Sequence, residues 1–251
     1  MGRGRVLKTT MTSLEIVDMI KELDGAKFAE VARQIDRPKS TVYSHLNTLV
    51  HCGYLVKTDG EYHVSHKYLH IGEYVRNRHD GYSLAKESVH RLAVEANKLV
   101  DFTVEESGRL ITIHAEDRGA EERTFQVGRY YYLHTTAAGK AILAERSDSF
   151  VEEVLDEHGL PKLTDNTITE RSVLYDELAT YRDQGYAVND QEFVNGLRSV
   201  GTVLRDGDGE IVGALSIGGP LYHNDMEYLH EELSEILLEE ASRFQQKMAD
   251  R

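Results

Sequence analysis

The stretch PKSTVYSHLNTL, residues 38–49, decides the fold of the N-terminal part of the chain. Val42, Leu46 and Leu49 recur at the spacing of one helix face, which predicts a helix with one buried side. Pro38 suits the first turn of such a helix, because the N–H that proline lacks would have no partner there. The stretch therefore predicts a helix that starts near Pro38 and buries one side.

The opposite face of this predicted helix carries short hydrogen-bonding groups, a cation and an aromatic ring. Its members are Lys39, Ser40, Thr41, Tyr43, Ser44 and Asn47. Side chains of these types contact base edges and phosphates when a helix lies in the major groove of DNA. The alternative is an ordinary solvated face, but that would be expected to carry more glutamate and lysine. The face predicts a DNA-recognition helix.

Two further helical patterns precede this helix. The first carries an apolar side formed by Leu14, Val17, Ile20 and Leu23. Thr12 and Glu15 have the spacing of a capping box at its start. The second covers residues 27–35, with apolar positions at Phe28, Val31, Ala32 and Ile35. A tight break at residues 36–37 then separates it from the recognition helix, as a helix-turn-helix requires.

A hairpin pattern follows at residues 53–64, GYLVKTDGEYHV. Alternating β-formers flank Asp59 and Gly60, which is the strongest short signal for a two-residue hairpin turn. A hairpin directly after a recognition helix is a wing, and Lys57 near its tip is placed to contact a phosphate. We therefore predict a winged helix-turn-helix that binds DNA, with a winged-helix protein-interaction module as the alternative.

The distribution of charge supports DNA binding by the N-terminal part only. The 251-residue chain has a formal net charge of −14, yet residues 1–79 carry +3 and residues 80–251 carry −17. A positive segment suits the phosphate backbone, whereas the acidic remainder must face away from it. The single cysteine excludes an internal disulfide, and the sequence has no apolar stretch of membrane-spanning length. We expect a cytoplasmic protein without a membrane segment.

Residues 67–78 read as a helix that connects two domains. We predict a winged helix-turn-helix over residues 1–66, a linker helix over 67–81 and an effector-binding domain over 82–251. His63, His66 and His70 lie near this linker, but no carboxylate stands at a convincing spacing from them. We interpret these histidines as surface residues and predict neither a metal site nor a cofactor.

The C-terminal part mixes helix and strand patterns. Helices are predicted at residues 82–99, 137–145, 149–158, 170–184 and 224–248. Strands are predicted at residues 100–106, 110–116, 124–127, 130–133, 186–189, 200–205 and 211–217. The order predicts an α+β domain, a mainly antiparallel sheet with helices on its faces.

No catalytic signature stands out in this part. Ala214 occupies the first glycine position of a nucleophile elbow around Ser216, and His134 stands where a phosphate loop needs its first glycine. We therefore predict that the protein is not an enzyme. The alternatives are an enzyme with an appended helix-turn-helix, a sugar-sensing regulator of another winged-helix family, and a regulator whose second domain only dimerises.

Several motifs, in this order, resemble the IclR family of bacterial and archaeal transcription regulators. They are PKSTVYSHLNTL at 38–49, GYL at 53–55, HTTAAGKAILA at 134–144, GYA at 185–187, DQEFVNGLRSV at 190–200 and ALSIGGP at 214–220. The resemblance covers nearly the whole chain. It implies a GAF-like effector domain, a homodimer or homotetramer, a palindromic double-stranded DNA operator and a small organic effector, a carboxylate or a sugar derivative.

The resemblance also implies effector-binding residues. The backbone N–H groups of Ala137 and Ala138 would face an effector carboxylate, and a helix N-terminus is a ready anion site on physical grounds. Side chains at Asn189 or its neighbour Asp190, at Ser199 and at Ser216 would supply hydrogen bonds. Two positions depart from other members of the family. Gly218 stands where some members have a serine, and Asn189 replaces an acidic residue, so no member's ligand is transferred.

The more ordinary interpretation is that Ser216 satisfies a strand edge and that Asp190 caps a turn.

The expected mechanism uses two recognition helices of a dimer in half-sites about 34 Å apart or a multiple of that distance. Arg37 and Lys39, together with Arg3 and Arg5, are expected to hold phosphates, whereas the short polar side chains include the base readers. Effector binding is expected to act on DNA affinity through the helix at residues 67–78.

Overall fold

Four helices and a small sheet lie in the first of two units into which the chain divides, Met1–Arg76 and Asn77–Arg251. The computed structural model describes residues 5–118 and 125–251. The helices of the first unit are α1 (Lys8–Glu22), α2 (Phe28–Gln34), α3 (Lys39–His51) and α4 (Lys67–Arg76). Its strands are β1 (Ala26–Lys27), β2 (Leu55–Thr58) and β3 (Glu61–Val64).

The predicted buried stripe of α3 is confirmed, because Val42, Leu46 and Leu49 lie in the core of this unit. Pro38 is the residue that precedes the helix. The hairpin is also confirmed, with Leu55 paired to Val64. Asp59 and Gly60 both have positive φ, 53° and 88°, as a two-residue hairpin turn of the favoured twist demands.

Two expectations about the first helix are wrong. α1 begins at Lys8, so Thr12 lies inside the helix and donates its hydroxyl to the Lys8 carbonyl at 3.0 Å rather than forming a capping box with Glu15. The buried stripe includes Ile16, and Leu14 is 58% exposed. Arg3 lies outside the described residues.

Leu23 is 41% exposed, because it follows the last turn of α1. The short strand β1 pairs with β3 and was not predicted, since two residues carry too little pattern.

The second unit is built on a six-stranded antiparallel sheet. Its strands are β4 (Leu99–Glu106), β5 (Arg109–Glu116), β6 (Tyr130–Tyr132), β7 (Ala187–Asp190), β8 (Leu197–Arg205) and β9 (Ile211–Pro220), in the spatial order β6-β5-β4-β9-β8-β7. Its helices are α5 (Asp80–Ala96), α6 (Ala137–Ala144), α7 (Asp148–His158), α8 (Arg171–Gln184), α9 (Met226–Tyr228) and α10 (Ser234–Ala249), and a π-helical stretch joins the last two. The α+β prediction is confirmed.

One predicted strand is absent from its place. Residues 125–127 form bends and turns, and Thr124 lies outside the described residues. The edge strand is instead β6, which pairs with β5 through Tyr131 and Leu110. Phe125 points into the core, so the apolar pattern there reflects burial of a loop rather than a strand.

The two faces of the sheet bury different side chains. One face packs with α5 and α10 and is apolar, with Phe102, Val200 and Leu215 among its members. The other packs with α6, α7 and α8 and contains Ala214 and Leu197. Because successive side chains of a strand point to opposite faces, the polar residues between the apolar ones of the first face all point toward α6.

Among residues 5–118 and 125–251, no helix combines the length and the apolar character that a membrane span requires.

Candidate functional sites

The outward face of α3 keeps the polar side chains predicted to read DNA in solvent. Val42 and Leu46 are fully buried, whereas Tyr43 between them is 51% exposed. The predicted residues are accessible, with only Thr41 half-buried: Lys39, Ser40, Thr41, Tyr43, Ser44 and Asn47. The Ser44 hydroxyl donates to the Ser40 carbonyl at 3.0 Å, a bond within the helix that leaves its lone pairs available. This face is thus a free polar surface.

Neighbouring helices support that face. The ring of Tyr43 packs edge-on against Phe28 of α2, with centroids 5.9 Å apart. Ser13 of α1 lies 2.7 Å from Nδ1 of His45, which ties α1 to α3. Arg37, before α3, is exposed and donates to the Asp36 carbonyl.

The wing presents Lys57 to solvent beside its own hairpin. The Lys57 ammonium lies 4.9 Å from the centre of the Tyr62 ring on the opposite strand. Glu61 is drawn to Lys27 of β1 at 3.7 Å, which offsets an acidic charge at the wing. The wing therefore offers an exposed cation, and one of its acidic residues, Glu61, is paired with Lys27.

In the second unit, the strand register lines up polar residues in two rows on the α6-facing side of the sheet. The first row crosses β4, β9 and β8 through Asp101, Ser216 and Gly201. The second crosses β9, β8 and β7 through Gly218, Ser199 and Asn189. We call these residues the polar rows. They bring together three of the side chains that the family resemblance implies.

The N-terminus of α6 lies directly over Gly201. A Cβ atom at Gly201 would lie 2.6 Å from the backbone nitrogen of Ala138, so only glycine permits this approach. The Thr136 hydroxyl accepts from the Gly139 N–H at 3.0 Å and caps the helix. The N–H groups of Ala137 and Ala138 remain at the helix end, beside the polar rows.

Two side chains of the polar rows are buried and have a polar atom without a hydrogen-bond partner among the described residues. Asn189 is fully buried; its Oδ1 accepts from the Glu192 N–H at 2.9 Å, and its Nδ2 has no hydrogen-bond partner among the described residues. The Ser199 hydroxyl, 2% exposed, likewise has no partner in the described part of the chain. Unpaired buried polar groups are costly, so such groups in a folded protein call for an explanation.

Asp190, which the family resemblance implies as an effector contact beside Asn189, forms an ion pair with Arg198. Its carboxylate accepts two hydrogen bonds from the Arg198 guanidinium, the shorter at 2.6 Å, and lies on the other face of β7 from Asn189. Arg198 holds the pKa of Asp190 below its usual value. Asp190 is therefore already paired, and Asn189 is the residue that faces α6.

Asp101 and Ser216 form a buried pair that the sequence did not indicate. The Ser216 hydroxyl donates to Oδ1 of Asp101 at 2.5 Å, and Asp101 is 1% exposed. Burial raises the pKa of Asp101 to about 7, and the bond from Ser216 opposes part of that rise. Among the residues that the structure describes, Asp101 is thus the single carboxyl group of the polar rows, and no lysine or arginine forms an ion pair with it.

Lys140 of α6 makes a buried ionic contact near the polar rows. Its ammonium donates to Glu192 at 2.7 Å and to Glu177 at 3.2 Å. Burial raises the pKa of Glu192, although Lys140 opposes the shift. Because the Glu192 N–H also binds Asn189, this contact connects α6 to the residue that faces it across the site.

A cavity of about 290 Å³ opens beside the second polar row. The residues that line it include buried Gly218, Leu99 and Leu197, together with the cations Lys98 and Arg118. Ser199, Ser216 and Asn189 do not line this space themselves, although Gly218 is the direct strand neighbour of Ser199. The cavity therefore adjoins the second polar row at Gly218.

Sequence patterns alone did not find Asp101, Lys140 or Glu192. The available signal was a charged residue inside an otherwise apolar segment, LVDFTV for Asp101 and AAGKAILA for Lys140. Within the described chain, no group of three or more His, Cys, Asp or Glu side chains is placed to hold a metal ion.

Comparison with known proteins relates both units to one family. The profile of the IclR helix-turn-helix domain matches residues 12–59. That of the bacterial transcriptional regulator IclR C-terminal domain matches residues 74–245. The "Probable HTH-type transcriptional regulator ArcR" of Halobacterium salinarum is 32% identical over 228 residues, which are 87% of this chain and 85% of that protein.

More distant relatives agree. The "HTH-type transcriptional repressor AllR" of Salmonella paratyphi A is 26% identical over 200 residues, 78% of this chain and 73% of that protein. The crystal structure of Thermotoga maritima IclR superposes with a TM-score of 0.82 at 26% identity, over 96% of this chain and 99% of that one. The chain therefore belongs to the IclR family: it is a transcriptional regulator with a DNA-binding helix-turn-helix and a C-terminal effector-binding domain.

Proposed function

We propose that α3 enters the major groove of an operator and that its outward face reads the bases. Thr41, Tyr43, Ser44 and Asn47 include the base readers, while Lys39 and Ser40 lie in the first turn, close to the phosphates. The observation that supports this is the division of α3 into a fully buried apolar side and an open polar side. Arg37, just before α3, and Lys57, on the wing, add exposed cations to this unit.

We propose that a small organic carboxylate is the effector and that it binds at the start of α6. The N–H groups of Ala137 and Ala138 receive its carboxylate, as a helix N-terminus favours an anion. Asn189, Ser199 and Ser216 supply hydrogen bonds. The unpartnered Nδ2 of Asn189 supports this proposal most directly, because a ligand would satisfy a buried donor that the described chain leaves open.

The proposed regulator acts as a homodimer or homotetramer in the cytoplasm on a palindromic operator, and binds its effector without turning it over. The relatives are regulators by name, and no catalytic arrangement is needed for this role. Effector binding changes operator affinity by no more than the ratio of effector affinities for the two states of the protein.

Operator recognition is tested by genome-wide footprinting followed by binding measurements on the sites found. Lys39→Ala is expected to weaken operator and random DNA by equal factors and to lower the salt dependence by about one phosphate contact. Asn47→Ala is expected to weaken operator alone. A purified protein that prefers no site in its own genome would contradict the proposal.

The effector site is tested on the same operator. Ser199→Ala and Asn189→Ala are expected to leave DNA affinity intact and to reduce the response to any molecule that releases or tightens operator binding. Exposed Ser149→Ala serves as the matched control. An unchanged response in both site variants would favour a different sensing site within the C-terminal domain.

A further inference from the structure

The position of Asp101 in the polar rows bears on which chemical group the effector carries at the end opposite its carboxylate. We propose that Asp101 is a specificity-determining residue that accepts a hydrogen bond from a donor group, a hydroxyl or an ammonium, carried by the effector at the end opposite its carboxylate. This inference rests on the proposed effector site at α6.

The first argument is the lack of compensation around Asp101. Its only hydrogen bond within the described chain comes from Ser216, and no lysine or arginine pairs with it. A buried carboxylate is ordinarily paired with a cation or bonded by several donors. Lys140, the buried cation of α6, is already held by Glu192 and Glu177. Asp101 therefore retains capacity to accept further donors.

The second argument is register. The N-terminus of α6 lies over Gly201, Gly201 pairs with Ser216, and Ser216 pairs with Asp101. Neighbouring strands are about 4.8 Å apart, so Asp101 lies about 10 Å from the carboxylate-binding end of the site. Because the two hydrogen bonds add about 2.9 Å each, a flexible chain of up to about six atoms between carboxylate and donor reaches across that distance.

Binding of a donor favours the ionised form of Asp101, so affinity depends on pH. With the pKa of free Asp101 at about 7, a donor-bearing ligand binds best above pH 7 and loses affinity as the pH falls below it. Tyr131 of β6 also faces Asp101, but its pKa is raised above 10. Burial lowers the pKa of His134, before α6, to about 4, so it stays neutral. Glu192 is the remaining buried carboxyl with a raised pKa, and an Asp101 variant separates the two.

The test is calorimetric titration of the full chain with three matched acids: hexanoate, 6-hydroxyhexanoate and 6-aminohexanoate. We expect the two donor-bearing acids to bind at least about tenfold more tightly than hexanoate at pH 8, and to release a proton on binding near pH 7. The hydroxyl and ammonium acids distinguish the two kinds of donor. Equal affinity for all three acids, or no measurable binding of any, would overturn the inference.

Two variants keep the test specific. Asp101→Asn is expected to remove both the preference for the ammonium acid and the pH dependence. Ser216→Ala takes away the bond that lowers the Asp101 pKa, so the pH midpoint is expected to move upward. If Asp101→Asn leaves selectivity and proton release unchanged, Asp101 is not the determinant.

A third variant separates this inference from the proposed site. Ser199→Ala is expected to weaken all three acids together. If Ser199→Ala weakens binding while Asp101→Asn does not alter selectivity, the effector site stands and the inference about its far end falls. If Ser199→Ala has no effect on any acid that binds, the proposed site itself is wrong.

Discussion

The outward face of α3 and the polar rows of the sheet hold hydrogen-bonding side chains in opposite ways. On α3, serine, tyrosine and asparagine side chains stand in water, which satisfies them until DNA replaces it. In the rows, Asn189, Ser199 and Asp101 are buried; Nδ2 of Asn189 has no hydrogen-bond partner among the described residues, and the Asp101 carboxylate accepts there only from Ser216. The polar side chains of the first region therefore contribute little to the free energy of unfolding. Those of the second region lower it, because they are buried without a full set of hydrogen bonds.

The largest expected effect lies behind the polar rows. Lys140→Met removes the ammonium that Glu192 needs and leaves a carboxylate buried, which costs about 3–5 kcal/mol of unfolding free energy. Thermal unfolding followed by circular dichroism measures the loss. Lys162→Met, at an exposed ion pair, is the control and should leave the transition in place. An equally stable Lys140→Met variant would show that the buried pair contributes nothing.

Asp101 provides the next test, with the opposite sign. Its pKa is about 7 in the folded chain and near 3.8 when unfolded, so the native state binds more protons between pH 4 and 7. Stability therefore falls as the pH rises through that window, by about 4 kcal/mol from this group. Asp101→Asn is expected to be more stable than the natural chain at pH 8 but not at pH 4.

Urea unfolding at the two pH values measures the Asp101 effect. A variant that is no more stable at pH 8 would mean that the carboxyl has a compensating partner, and the contrast between the two regions would weaken.

Ser199→Ala sharpens the comparison on a smaller scale. The Ser199 hydroxyl has no partner in the described chain, so its removal is expected to raise unfolding free energy by as much as about 1 kcal/mol. Thr136→Ala is the matched variant, because the Thr136 hydroxyl caps α6 and its loss should cost about 1 kcal/mol. Parallel denaturation of the two variants checks the prediction, and a loss of stability in both would contradict it.

The smallest effect on stability is expected on α3. Tyr43→Ala should lower the unfolding free energy by about 0.5 kcal/mol, because it removes the ring contact with Phe28, and yet reduce operator affinity about tenfold. Tyr222→Ala, at a tyrosine 76% exposed in the second unit, should alter neither quantity. Denaturation and fluorescence anisotropy on operator DNA measure the two. A strongly destabilised Tyr43→Ala would place that ring in the core rather than at the interface.

Local sequence patterns predicted most of the helices and strands. The stripe of α3 and the Asp59–Gly60 turn are encoded within a few residues, so spacing alone predicts them. The start of α1 was missed because Thr12 resembles a cap while the preceding residues continue the helix. The loop at residues 125–127 looked like a strand because Phe125 is buried for a tertiary reason.

The two candidate sites differ in the same way, because one is encoded locally and the other depends on strand pairing. The polar face of α3 is a property of one helix, and a helical repeat shows it directly. The Asp101–Ser216 pair joins residues 115 positions apart, and only the register of β4 on β9 brings them together. Asn189 and Ser199 came from family resemblance, since no local spacing marks a residue whose partner is missing.

The strict alternation of β8 and β9 has an evolutionary consequence. Every second position, Ser199 and Gly201 or Ser216 and Gly218, belongs to the polar rows, while Val200 and Ile217 belong to the packing against α10. Substitutions at Ser199 and Ser216 can change the α6-facing side of these strands while the latter set keeps the domain packed, whereas Gly201 has no room for a side chain beside Ala138. A new side-chain set on the α6-facing side of the sheet thus requires substitutions only at alternate positions of each strand, and the fold stays the same.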